Sequence, residues 1–193
     1  MQITLEKTAR YFHGRSVPQR VREMNSSIKL LIVVRDPATR IVSEYVHDKA
    51  KSSDENHLPL ESLLLDKNGD INATYDPVIS STYYVHFKRW LEHFPLNQFN
   101  IVDGQHFIDN PAEEIAKVET FLGIGHKVGP DMLYFDKRKG FYCVKVNDIR
   151  TCLDDSKGRE HPYVKPEIII KLKKYFEPLN EVFLDMINQR FDW

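Results

Sequence analysis

Residues 30–45 read LLIVVRDPATRIVSEY. A short apolar run stops at Arg35-Asp36-Pro37, and helical spacing begins at once, carrying Arg40 and Ser43. An arginine at the carboxyl end of a buried parallel strand stands where open α/β sheets bind ligands. The helix opening behind it offers unpaired backbone N–H groups and the positive end of its dipole. Arg35 and Ser43 could therefore share an anion, if the helix starts late or its loop folds back, with Arg40 as a second cation nearby. The alternative is an Arg-Asp pair that only caps the helix while Ser43 faces water.

Three further clusters could act on the same kind of ligand. SKGRE (156–160) sets Lys157, Gly158 and Arg159 together, with Glu160 and His161 following. Glycine there lets the backbone turn its amides toward a phosphate flanked by two cations; a solvated basic turn is the plainer reading. Glu6-Lys7-Thr8 follows ITL, which reads as a strand end, and a lysine so placed can steady a charged leaving group as a point charge. In isolation an exposed lysine is the simpler account. FDKRKGFY (135–142) puts Lys137, Arg138 and Lys139 beside Phe141 and Tyr142, which suits a purine ring and a polyanion, and equally an ordinary hairpin tip. The eight histidines show neither an HExxH motif nor paired ligand spacing, so metal catalysis is not indicated. No Walker or Rossmann glycine fingerprint is present either.

The elements that must position these residues follow from pattern. IKLLIVV (28–34) is apolar on both faces and β-branched, as a central parallel strand reads. Pro37 suits the first turn of the next helix. QFNIVDG (98–104) reads as a second buried strand, followed by the helix PAEEIAKVETFL with Gly123 as its C-cap. Strand, helix, strand, helix is the α/β pattern of a parallel sheet. Ser16 caps a short helix over PQRVREM. One long helix is expected from Asp76-Pro77 to about Phe94, with Ile79, Tyr83, Phe87 and Trp90-Leu91 on its buried stripe. The last helix, from Pro166, is expected to kink or divide at Pro178.

Composition bounds the rest. The chain has 193 residues, 41% hydrophobic, enough for a globular domain with a real core. With 27 basic and 28 acidic residues, net charge is −1, so bulk charge gives no argument for nucleic acid and an anion site must be a local cluster. No apolar run reaches the ~18–20 residues of a membrane span, and MQITLEKTARYF lacks a signal peptide's apolar core. Taken alone, these features describe a soluble chain. Cys143 and Cys152 read as two free thiols or as a hairpin disulfide formed in an oxidising compartment. Two sequons, Asn25-Ser26-Ser27 and Asn72-Ala73-Thr74, would accept glycans in that same compartment.

The order of these fragments carries more than any one of them. EKT, RDPxxRxxSxY, VH…W…FP…IVDG, KGFYC, a second cysteine, SKGRxHP and a terminal FDW together resemble the heparan sulfate glucosamine 3-O-sulfotransferases, over about Ile3 to Trp193. The resemblance implies an α/β, P-loop-like sulfotransferase fold: a parallel sheet with flanking helices and a disulfide-bearing C-terminal hairpin and loop region. It implies 3′-phosphoadenosine 5′-phosphosulfate (PAPS) as sulfate donor, no metal, and heparan sulfate as acceptor. Arg35 and Ser43 would take the donor's 3′-phosphate, Tyr142 would lie against the nucleotide, and Lys157, Gly158, Arg159, Glu160 and His161 would close over it. Lys7 would steady the transferring sulfuryl group, with Lys7, Arg10 and Lys139 toward the polysaccharide. Cys143 and Cys152 would form the family's disulfide, in keeping with a Golgi lumen. The family carries its membrane anchor, glycine-rich phosphosulfate loop and catalytic glutamate upstream of EKT. Residues 1–193 are thus expected to be one sulfotransferase domain without those parts, with an exposed apolar edge at strand 28–34. EKTAR also has alanine where the family usually has proline. Two alternatives stand beside this reading: a non-catalytic module binding the desulfated nucleotide (PAP) and heparan sulfate, and the N-sulfotransferase branch of the family.

Overall fold

The structure is a computed structural model that describes residues 4–51, 58–154 and 162–193. After a 3₁₀ turn at Ala9–Tyr11 comes α1 (Val17–Met24), preceded by Ser16 as expected, though the Ser16 side chain makes no capping bond. The segment around Lys7 is exposed and irregular, so the expected strand end there does not form. β1 (Leu30–Val34) leads directly into α2 (Pro37–Lys51), followed by α3 (Leu60–Leu64).

The single long helix expected from Asp76 is instead two: α4 (Asp76–Ser81) and α5 (Tyr83–Leu91), broken at Thr82. Three consecutive hydroxyls cause the break by competing for backbone acceptors. Ser80 Oγ and Ser81 Oγ donate to Pro77 O at 3.2 and 2.7 Å, and Thr82 Oγ1 donates to Val78 O at 3.0 Å. Arg40 Nη1 enters the same turn, donating to Ser80 Oγ at 3.0 Å and Ser81 Oγ at 2.8 Å. The break rotates the stripe. Tyr83, Phe87 and Trp90 are buried, whereas Ile79 faces outward.

β2 (Phe99–Asp103) pairs parallel with β1, Leu30 opposite Phe99 and Val34 opposite Asp103. α6 (Gly104–Asp109) and α7 (Pro111–Leu122) follow, the latter ended by Gly123 at φ 74°, a left-handed C-cap as expected. The parallel strands with their helices bear out the α/β reading. Burial on both faces of β1 is not borne out: Val33 is 61% exposed, and among the described residues β1 and β2 pair only with each other. β3 (Leu133–Asp136), β4 (Phe141–Val146) and β5 (Ile149–Thr151) form a separate antiparallel sheet, and Cys143 and Cys152 are joined in a disulfide.

α8 (Pro166–Ile187) closes the fold and runs through Pro178 as one element, not two. It serves two cores. Ile168, Leu172 and Phe176 pack with Ile41, Tyr45 and Leu64, and beyond Pro178 the residues Phe183, Leu184 and Ile187 pack with Tyr83, Phe87 and Phe99. Burying such side chains is worth ~1.5–3 kcal/mol each, enough to hold the helix across the one backbone bond that Pro178 removes. No helix among the described residues is long and apolar enough to cross a membrane.

Candidate functional site

β1 and β2 end side by side, and each delivers an aspartate that caps the next helix. Asp36 accepts from Ala38 N (3.2 Å), Thr39 N (3.3 Å) and Thr39 Oγ1 (2.8 Å). Asp103 accepts from Gln105 N (2.8 Å) and His106 N (3.3 Å). Capping α2 therefore falls to Asp36 alone, and Arg35 is left to turn across the carboxyl edge toward the neighbouring strand. Its Nη2 donates to Gln105 Oε1 at 3.1 Å.

Two contacts fix Arg35 from behind. Tyr83, buried at the start of α5, donates its hydroxyl to Arg35 O at 2.9 Å. Burial pushes the Tyr83 phenol up to about 12, against the pull of Arg40 and Arg35, so it stays a protonated donor at neutral pH. Below the guanidinium stem lies Gly104, where a Cβ would stand 2.6 Å from Arg35 Cγ and 2.8 Å from Val34 O. The guanidinium is still not satisfied: Arg35 Nε is buried without an acceptor among the described residues. A buried unpaired donor costs about 1–3 kcal/mol, and no neighbouring carboxylate among the described residues offsets the charge, since the guanidinium's one side-chain partner there is the neutral Gln105.

Other expected site residues fall into three groups. Ser43 is half-buried on α2, on the same side as Thr39. The late start that would bring Ser43 to the same anion as Arg35 does not occur: the helix begins at Pro37, and Ser43 stands about 9 Å along the axis from its first residue. Tyr142 is 40% exposed on β4, edge-on to Phe135 with ring centroids 5.4 Å apart. It lines a recess of about 220 Å³ with Asp109, Asn110, Pro111 and Leu133, which places α6 between Tyr142 and Arg35. Lys139 donates to Leu153 O at 2.7 Å, tying the basic turn to the chain just past the disulfide.

Lys7 and Arg10 lie exposed upstream of an anchor made by Phe12 and His13. Trp90 Nε1 donates to Phe12 O and Arg89 Nη2 to His13 O, both at 2.9 Å, so α5 carries the N-terminal segment. Lys157, Gly158, Arg159, Glu160 and His161 lie outside the described residues.

Sequence reasoning missed Tyr83, Gly104, Gln105 and Asp109. Asp103-Gly104 directly after a strand could have been read as a cap and a point of close approach; Tyr83 and Gln105 carry no local signal.

Residues 5–191 match the family model described as sulfotransferase domain. The chain is 42% identical over 196 residues to heparan sulfate glucosamine 3-O-sulfotransferase 5 of Mus musculus and of Homo sapiens, covering all of this chain and 57% of each relative. It is 36% identical over 198 residues to human heparan sulfate glucosamine 3-O-sulfotransferase 3B1, covering 50% of that protein. The chain thus spans about half the length of the curated relatives it matches. A crystal structure of a sulfotransferase from Alicyclobacillus acidocaldarius superposes with a TM-score of 0.68 over 94% of this chain and 63% of that one, at 17% identity, a likeness of fold.

Proposed function

Because this chain belongs to the sulfotransferase-domain family, we propose that it acts in the transfer of sulfate from PAPS to the 3-hydroxyl of glucosamine residues in heparan sulfate. What carries the reading is Arg35, held across the ends of two parallel strands with Nε unsatisfied, where a 3′-phosphate would complete it. The lack of a Cβ at Gly104 keeps that stem in place. The relatives named above are 3-O enzymes, which disfavours the N-sulfotransferase alternative.

PAPS supplies the sulfuryl group: an acceptor hydroxyl attacks sulfur in line, the bond to the 5′-phosphate breaks, and the hydroxyl proton passes to a base. In this chain Arg35 binds the 3′-phosphate, the family resemblance assigns Ser43 to the same group, and Tyr142 lies against the nucleotide at the recess beside α6. Lys7 steadies the charge that develops on the leaving side, where a cation positioned for the transition state is worth most. The family resemblance assigns Lys157, Gly158, Arg159, Glu160 and His161 to the donor as well. Arg10 and Lys139 face the polysaccharide. The disulfide between Cys143 and Cys152 supports an oxidising compartment, the Golgi lumen on this reading.

The test is transfer of labelled sulfate from PAPS to heparan sulfate, read as 3-O-sulfated disaccharides, together with titration of PAP. Transfer at the 3-hydroxyl is expected. Binding of PAP with no transfer would leave a nucleotide- and polysaccharide-binding module, and absence of both would overturn the reading.

A further inference from the structure

Arg35 is not held by a carboxylate, the usual partner of a guanidinium. It is held by an amide, and the amide has a second contact. Gln105 Nε2 donates to Asp109 Oδ1 and Oδ2 at 3.3 and 3.1 Å, one turn further along α6. The orientation of this amide is dictated by chemistry. Arginine cannot accept a hydrogen bond and an ionised carboxylate cannot donate one, so only Gln105 with its oxygen toward Arg35 and its nitrogen toward Asp109 satisfies both. Asp109 thereby fixes Gln105, and Gln105 fixes the guanidinium by one Nη2 hydrogen without cancelling its charge. Arg35 Nε is buried without an acceptor among the described residues, and the one side-chain partner of the guanidinium there is neutral, so its charge stays available to an incoming anion.

We propose that Gln105, locked by Asp109, is the positioning residue that sets selectivity for a 3′-phosphorylated nucleotide, by aiming Arg35 while leaving its charge unpaired. This rests on the donor reading given above. A carboxylate at 105 would compete with the phosphate for the same guanidinium. It would also stand one turn from Asp109, where like charges repel. An amide does neither. Both residues are exposed, so substitutions at them leave the two cores untouched.

The experiment titrates the full chain with PAP and with adenosine 5′-monophosphate, which differ only in the 3′-phosphate. Wild type is expected to prefer PAP. Gln105→Glu should lose at least about tenfold in PAP affinity, the scale of one charged hydrogen bond, with affinity for the monophosphate unchanged. Asp109→Asn should lower the ratio of PAP to monophosphate affinity by a smaller factor, because the amide it faces can then turn over; since Asp109 also lines the recess beside Tyr142, the ratio is the readout. A merely structural role would lower both affinities together and leave their ratio intact. If wild type prefers PAP and both variants keep that ratio, the assignment of Gln105 is overturned while the donor reading stands. If wild type shows no preference for PAP, the donor reading falls, and this one with it.

Discussion

A single hydrogen atom in place of a methyl group at position 104 decides where Arg35 can lie. Gly104 is needed for space: an added Cβ would meet Arg35 Cγ at 2.6 Å and the Val34 carbonyl at 2.8 Å. Gly104→Ala is therefore expected to push the guanidinium off the strand ends, costing about 1–3 kcal/mol as overpacking does and about tenfold or more in PAP affinity. Thermal unfolding and titration check the two effects separately; full PAP affinity in a folded variant would remove Arg35 as the phosphate anchor. The place of Arg35 at a strand end and of Ser43 on the following helix is legible in the sequence because strand, turn and helix are local. Gln105 and Tyr83 are not. Their hydrogen bonds to Arg35 span 70 and 48 residues, and no propensity or spacing encodes a partner at that distance.

Among the elements, the break between α4 and α5 links the sequence to the site. Ser80-Ser81-Thr82 could have been read as a helix fault; what could not be read is that Arg40 would fill it from α2 and that Ile79 would turn outward while Tyr83 stayed buried. The same region holds a pH-sensitive contact. His86 is buried, with Nε2–H on Ile79 O at 2.8 Å and Nδ1 accepting from Arg89 Nη2 at 2.8 Å. Burial above all, helped by Arg89 and His13, holds its pKa below the ordinary histidine value. The unfolded chain therefore takes up the proton first as pH falls. The contribution of a neutral His86 is complete above about pH 6.5 and is lost progressively below it, toward the lowered folded value. His13, also lowered by burial first, adds in the same direction. Thermal stability of wild type is thus expected to fall with acidification in this window. His86→Gln, which keeps a donor toward Ile79, should flatten part of that slope; an unchanged slope would place the proton uptake elsewhere.

At the scale of the molecule, the two strands that carry Arg35 and the hairpin that carries Tyr142 are separate sheets, and α6 stands between them. The hairpin is stabilised by its disulfide across a sequence separation of nine. Closing a loop of that length removes unfolded-state entropy worth ~2–3 kcal/mol. Cys143–Cys152 pairing was only one of two readings from the residues themselves, because a pair of cysteines does not reveal its compartment; the family motifs around it supplied the rest. Reduction, or the double change Cys143→Ser with Cys152→Ser, is expected to lower stability by about 2–3 kcal/mol in thermal unfolding. Its effect on binding should differ in kind from that of Gln105. Loosening β4 disturbs Tyr142 and the recess proposed for the nucleotide body, so affinity for PAP and for adenosine 5′-monophosphate should drop together. Arg35 just past β1, Gly104 and Gln105 on α6, and Tyr83 on α5 all lie outside the hairpin sheet, so the preference for PAP should persist. Titration of both nucleotides with the reduced protein checks this: a preference lost along with the disulfide would show that hairpin and strand ends act as one unit rather than two.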